Sequence, residues 1–169
     1  MPETATSPVT ETLALQFKFV ALVFPMNMAG ISEEEARIRP EPGVNSINWM
    51  IGHMITIRQR YLAAFNKGPF LSDEGVEYYR RGSKPGESAA NPPESLAALV
   101  DIFNRTHTEM LELIATFDEE TLAKPAPFSP TRSPETVGSL VARMVVHEGY
   151  HVGQIGVVRR LLGKEGAIR

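Results

Sequence analysis

The chain has 169 residues, 43% of them hydrophobic, a formal net charge of −3 and no cysteine. That is the size of one domain with one core. The charge balance argues against a nucleic-acid partner, which needs a concentrated basic surface; without cysteine no disulfide forms, and any metal must be held by His, Asp, Glu, Gln or water.

Met1 to Thr6 is small, polar and expected to be loose. Ser7 and Pro8 read as cap and first residue of a helix over residues 8–29, with Leu13, Phe17, Val20, Phe24 and Met28 on its inner stripe. Pro25 should bend or end it, and Gly30 is the next stop. Ile31 to Val44 carries Pro40, Pro42 and Gly43 and reads as a connector, with a short helical turn after Ser32. Asn45 or Ser46 caps a second helix over residues 46–65. Its inner stripe is Ile47, Met50, Ile51, Met54, Tyr61 and Phe65, with Trp49, His53 and Ile57 along the edge. Gly52 in mid-helix costs about 1 kcal/mol against Ala, so a close neighbour is expected there.

Asn66 to Pro93 is too long for a tight helical hairpin. It reads as a crossover that returns the chain to the starting end, so that the second and third helices run parallel. The third helix spans residues 93–117, opened by Asn91, Pro92 and Pro93, with Leu96, Leu99, Phe103, Met110, Leu113, Ile114 and Phe117 inside. Lys124 to Ser133, with three prolines, is a loop. Ser133-Pro134-Glu135 opens the fourth helix, residues 134–162, and Gly163 stops it. No strand pattern, repeat or low-complexity tract interrupts this. The expectation is a single all-α domain over residues 1–169, a four-helix bundle with a long crossover between helices two and three. No apolar run of about 18 residues and no signal pattern are evident, which predicts a cytoplasmic protein without a membrane partner.

The fourth helix carries the chemistry. Its apolar stripe, Val137, Leu140, Val141, Met144, Ile155, Val158 and Leu162, passes through His147 and His151. Four residues apart on a helix, these two lie about 40° apart and one turn above each other, a spacing that grips one ion from one side. Two histidines in core-facing slots need partners, because an unpaired buried polar group costs roughly 1–3 kcal/mol. A metal would satisfy both. A third ligand is available in His53: with the second and fourth helices antiparallel, it lies within about 4.5 Å of the pair along the axis. His107 lies roughly 10 Å along the axis from His53 and is the poorer candidate. Three histidines without a carboxylate leave coordination positions open, as catalytic sites do.

Helix two carries Asn48-Trp49-Met50-Ile51-Gly52-His53 and then Arg58. Helix four carries His147-Glu148-Gly149-Tyr150-His151-Val152-Gly153-Gln154-Ile155 and then Arg159-Arg160-Leu161-Leu162-Gly163. In these motifs, and across nearly its whole length, the chain resembles the DinB-like superfamily. The resemblance implies a four-helix bundle with a divalent metal, zinc or nickel with iron as a further candidate, on His53, His147 and His151. It also implies a homodimer acting on a small-molecule substrate. Among activities it points first to S-transfer from a low-molecular-weight thiol such as bacillithiol or mycothiol. Metal-dependent hydrolysis is the alternative enzyme, and a non-catalytic metal-binding scaffold or stress-response protein the alternative to an enzyme.

Other residues have weaker signals. Glu148 adjoins the ligand pair but points about 100° from His147; it is either a general base acting through water or an exposed helix acid. Gln154 is placed to bond a ligand histidine from behind. Arg58, Arg80 and Arg81, with Arg60, are candidates for an anionic cofactor or substrate, against the alternative of solvated surface. Gly149, Gly153 and Gly156 suggest a close neighbour along helix four. Trp49 and Tyr150 read as packing.

Overall fold

The structure, a computed structural model, describes residues 7–83, 91–130 and 133–168. The expectation for Met1 to Thr6 lies outside these. The described residues form α1 (Pro8–Met28), α2 (Glu33–Arg37), α3 (Ile47–Ala63), α4 (Asp73–Tyr79), α5 (Leu96–Ala115), α6 (Glu119–Ala123) and α7 (Val137–Leu161). No strand occurs among them, only one bridge between Pro125 and Thr136.

The four long helices make the bundle. α1 and α3 sit at opposite corners, and each packs against both α5 and α7. Directions follow from the contacts. The Thr10 hydroxyl donates to the Phe117 carbonyl at 2.7 Å while Phe24 stacks on Phe103, so α1 and α5 are antiparallel. Asn48 donates to the Glu94 carbonyl at one end of α3, and Arg58 to the Phe103 carbonyl further on, so α3 and α5 are parallel. This is the arrangement the long crossover demands.

Each bundle helix is started by a hydroxyl that accepts from its first turn: Ser7, Ser46, Ser95 and Thr136. The last two correct the expected starts. Pro92 and Pro93 precede the cap of α5. Ser133 to Glu135 stay in the loop because Thr136 and Ser139 form a reciprocal capping box that fixes the start of α7. Pro25 does not end α1; the helix runs on to Met28, and the Ala29 amide bonds the Pro25 carbonyl at 3.0 Å to close the last turn.

α1 also departs from the expectation on membrane spans. It is long and apolar enough to cross a membrane by length and composition alone. Its inner face supplies Leu13, Phe17 and Phe24 to the core, while Leu15, Phe19, Leu22 and Met26 are exposed. An apolar helix with an apolar outer face thus serves as one wall of the bundle.

The core is divided. One apolar cluster holds Phe24, Ile47, Ile51, Phe103, Val152 and Ile155. The other holds Phe17, Tyr61, Met110, Leu140, Val141 and Met144. At the junction lies a charged pair with no access to solvent, Arg58 on α3 and Glu148 on α7, 0% and 1% exposed. Two hydrogen bonds join them, Nε to Oε1 at 2.6 Å and Nη2 to Oε2 at 2.7 Å. Arg58 Nη1 also donates to the Phe103 carbonyl at 2.6 Å and to the Thr106 hydroxyl at 3.1 Å. The guanidinium lies 3.9 Å from the Phe103 ring centre. Both residues therefore correct the sequence reading. Arg58 is spent inside the fold and does not meet an anionic ligand. Glu148 is neither an exposed acid nor a base at the site.

Removing one member strands the other charge in the interior, which typically costs about 3–5 kcal/mol. Arg58→Met or Glu148→Leu alone should lower the free energy of unfolding by that amount. The Arg58→Met/Glu148→Leu double variant should recover most of it, and a double-mutant cycle by chemical denaturation measures the difference.

Candidate metal centre

His53 projects from α3 and His147 and His151 from α7, one turn apart. The Arg58–Glu148 pair sets their level, since Arg58 is five residues beyond His53 and Glu148 is next to His147. The three imidazoles converge as the sequence suggested. Ring centres are 5.1 Å apart for His53 to either partner and 4.6 Å for His147 to His151. One ring nitrogen from each lies within 4.8 Å of the other two.

Hydrogen bonds fix which nitrogen two of the rings offer. His53 Nδ1 lies 2.8 Å from the Tyr79 carbonyl, which can only accept, so Nδ1 carries the proton and Nε2 keeps its lone pair. His151 Nδ1 stands 2.8 Å from Gln154 Oε1, with the same consequence. His147 Nε2 faces His53 Nε2 at 3.2 Å, and its own Nδ1 is buried without a partner. Nitrogen lone pairs directed at one another repel unless a proton or a cation lies between them. With His147 offering Nε2 as the other two rings do, three lone-pair nitrogens meet at one point, an arrangement that fits a divalent ion.

Burial also keeps the rings neutral, as ligation requires. It pushes His147 down to about 3, helped by His151 and His53 beside it. It pushes His151 down to about 4. His53 is lowered as well, again chiefly by burial, against the opposing bond to Tyr79.

The supports come from places the sequence reading did not connect. Tyr79 ends α4, a helix inside the crossover that hydrophobic periodicity did not reveal. Its ring lies where a Cβ on residue 52 would stand, 2.3 Å from the nearest ring atom, which explains Gly52. Its hydroxyl donates to Asn48 Oδ1 at 3.1 Å. On the other side of His53, Trp49 stacks at 4.8 Å and 9°.

The histidines open onto a cavity of about 580 Å³. Its walls include Trp49, Ile57, Phe128, Leu140, Met144 and Tyr150, and Gln154 also reaches it. Of the arginines named from sequence, Arg81 lines the cavity, Arg80 turns outward to Glu77 at 2.6 Å, and Arg58 is buried elsewhere. Arg60 lines it too, as does Arg143, which sequence reasoning missed. His107 lies apart, stacked on Phe17 at 4.9 Å and lowered to about 4 by burial.

An all-helical bundle that closes three neutral imidazoles on one point, beside an open cavity, defines a candidate metal-binding protein. The family comparison agrees: the model of the DinB superfamily matches residues 18–155, and the chain belongs to that superfamily. No curated protein matches. Among solved structures the chain is similar to the conserved protein of a locus from Enterococcus faecalis. The two are 20% identical, with a TM-score of 0.77 over 94% of this chain and 99% of the other, a likeness of fold.

The depressed histidines set a pH dependence for the metal-free protein. In the unfolded chain they protonate near 6.5; folded, His147 and His151 do so only near 3 and 4. Between those limits the unfolded state binds more protons, so stability is full above about 6.5 and is lost as pH falls toward 4. Chemical denaturation from pH 7.5 to 4.5 should show this loss, and a His147→Gln/His151→Gln variant should show a smaller one.

Proposed function

We propose that the protein is a metal-dependent enzyme acting on a small molecule, and that its reaction is transfer of a low-molecular-weight thiol to an electrophile. The observation that carries this is a ligand set of three neutral imidazoles with no carboxylate, facing a cavity large enough for a small organic molecule. Open coordination positions are the mark of catalytic rather than structural sites. Zinc or nickel suits three imidazole nitrogens, and iron is a further candidate. Such an ion supplies Lewis acidity that lowers the pKa of a thiol or water reaching it.

The chain's own groups do the rest. His53, His147 and His151 hold the ion, with Tyr79 and Gln154 orienting two of the rings. The apolar wall from Ile57 to Met144 excludes bulk water from the substrate's body. The pocket favours a thiol over water in one respect: no carboxylate is among its described lining residues, so hydrolysis would lack a carboxylate general base. A thiol, with an unperturbed pKa near 8.5, needs only modest help to ionise. A metal-dependent hydrolase is the second reading, and a non-catalytic metal-binding scaffold the third.

The test is a transfer assay on zinc- or nickel-reconstituted protein, using small thiols and monochlorobimane as acceptor. The expected result is turnover that a chelator abolishes, and that falls at least about 100-fold in His151→Ala, the range for losing a group that acts in the transition state. Turnover of esters or amides instead, under the same metal dependence, would transfer the assignment to hydrolysis. No turnover of either class by metal-loaded protein would favour the scaffold.

A further inference from the structure

The cavity over the histidines is charged in one sense only. Arg60, Arg81 and Arg143 line it, and no acid does among the described residues, although the chain as a whole carries a net charge of −3. The three come from separate elements: the last turn of α3, the turn after α4 and the second turn of α7. Two of them are held in place. The Arg60 guanidinium lies 4.3 Å from the centre of the Phe128 ring, a face-on contact that leaves its N–H donors unspent. Arg143 is paired with Glu135, Nε donating at 2.7 Å and Nη2 meeting the same carboxylate, so its charge is already offset.

Neutral imidazoles do nothing to offset the charge of an ion bound between them. Arg60 and Arg81 add two more positive charges around the same space, Arg143 being paired with Glu135. An anionic ligand would compensate this charge, and a neutral one would not. Much of the remaining lining is apolar, including Trp49, Ile57, Leu140 and Met144.

We propose that this cavity selects an organic oxyanion, a molecule whose carboxylate or phosphate is gripped by the arginine rim while its apolar body lies against the Trp49 wall. Arginine's planar fork matches both groups with paired hydrogen bonds. This names the substrate class of the site and in that sense rests on the function proposed above. The binding preference belongs to the arginines, however, and exists in the metal-free protein as well.

The chain provides its own reporter. Trp49 is its single tryptophan, lines the cavity and stacks on His53, so its fluorescence reads occupancy directly. The full chain, metal-free and zinc-loaded, is titrated with four probes of one shape: 3-phenylpropionate, 2-phenylethylphosphonate, 3-phenylpropanol and 3-phenylpropylamine. Both anions should give a saturable change at least about tenfold tighter than the alcohol, with the amine weakest, and added salt should weaken only the anions. The stronger of the two anions tells carboxylate from phosphate. Arg60→Gln and Arg81→Gln, both at exposed positions, should each weaken anion binding about tenfold and leave the alcohol unchanged.

Equal binding of alcohol and anions, anion binding indifferent to the arginine substitutions, or no saturable change with either anion would overturn the proposal. Failure here is separable from failure of the enzyme reading. Anion selectivity without metal or turnover sinks the enzyme alone, and turnover of neutral acceptors without anion selectivity sinks only this inference.

Discussion

The bidentate ion pair between Arg58 and Glu148 is the constraint on which the rest of the bundle depends. Taking both charges out of water costs several kcal/mol per ion. Here the cost is offset by two short hydrogen bonds within the pair, two more from Arg58 to α5, and the face of Phe103. A pair of this kind adds little to stability compared with well-packed hydrophobic residues. What it adds is register, because only one sliding position of α3 against α7 satisfies every donor. That position brings His53 level with His147 and His151, since the charged residues and the ligands alternate along the same two helices. The pair thus fixes the geometry of the site without touching it.

The crossover is the second element of that geometry. A connection between parallel helices must travel the length of the bundle, and this one folds part of the way as α4. Tyr79 at its end enters the space that Gly52 leaves, and its carbonyl accepts the hydrogen bond from His53 Nδ1–H. Arg81, two residues on, reaches the cavity. One short segment therefore sets the tautomer of a ligand and contributes charge to the rim.

Much of this was legible in the sequence, and the parts that were not have physical reasons. The four long helices followed from stripes of period 3.6, and the caps of two of them from Ser7 and Ser46. The three histidines followed from their core-facing slots and from the levels of antiparallel helices. Arg58 and Glu148 were misread because charge was taken to mean exposure, although periodicity already placed both inside. Glu148 is seven residues from both Val141 and Ile155, and Arg58 is four from Met54 and three from Tyr61, all of them buried. Two opposite charges in core slots of facing helices were the signal. Tyr79 was beyond reach because its role is carried by a backbone carbonyl, which no residue type advertises. Arg143 was missed because the cavity it lines also takes residues from the loop before α7, Phe128 and Pro130, which helical periodicity does not place.

The central claim is that His53, His147 and His151 together hold one divalent ion. Its most direct test is metal content after reconstitution with zinc or nickel and exhaustive dialysis, measured by elemental analysis on the wild type and on His53→Ala, His147→Ala, His151→Ala and His107→Ala. The account predicts about one ion per chain in the wild type and in His107→Ala, and a fall to background in each of the other three. Retention of the ion by folded variants lacking any of those three rings, or no retained ion in the wild type, would contradict it.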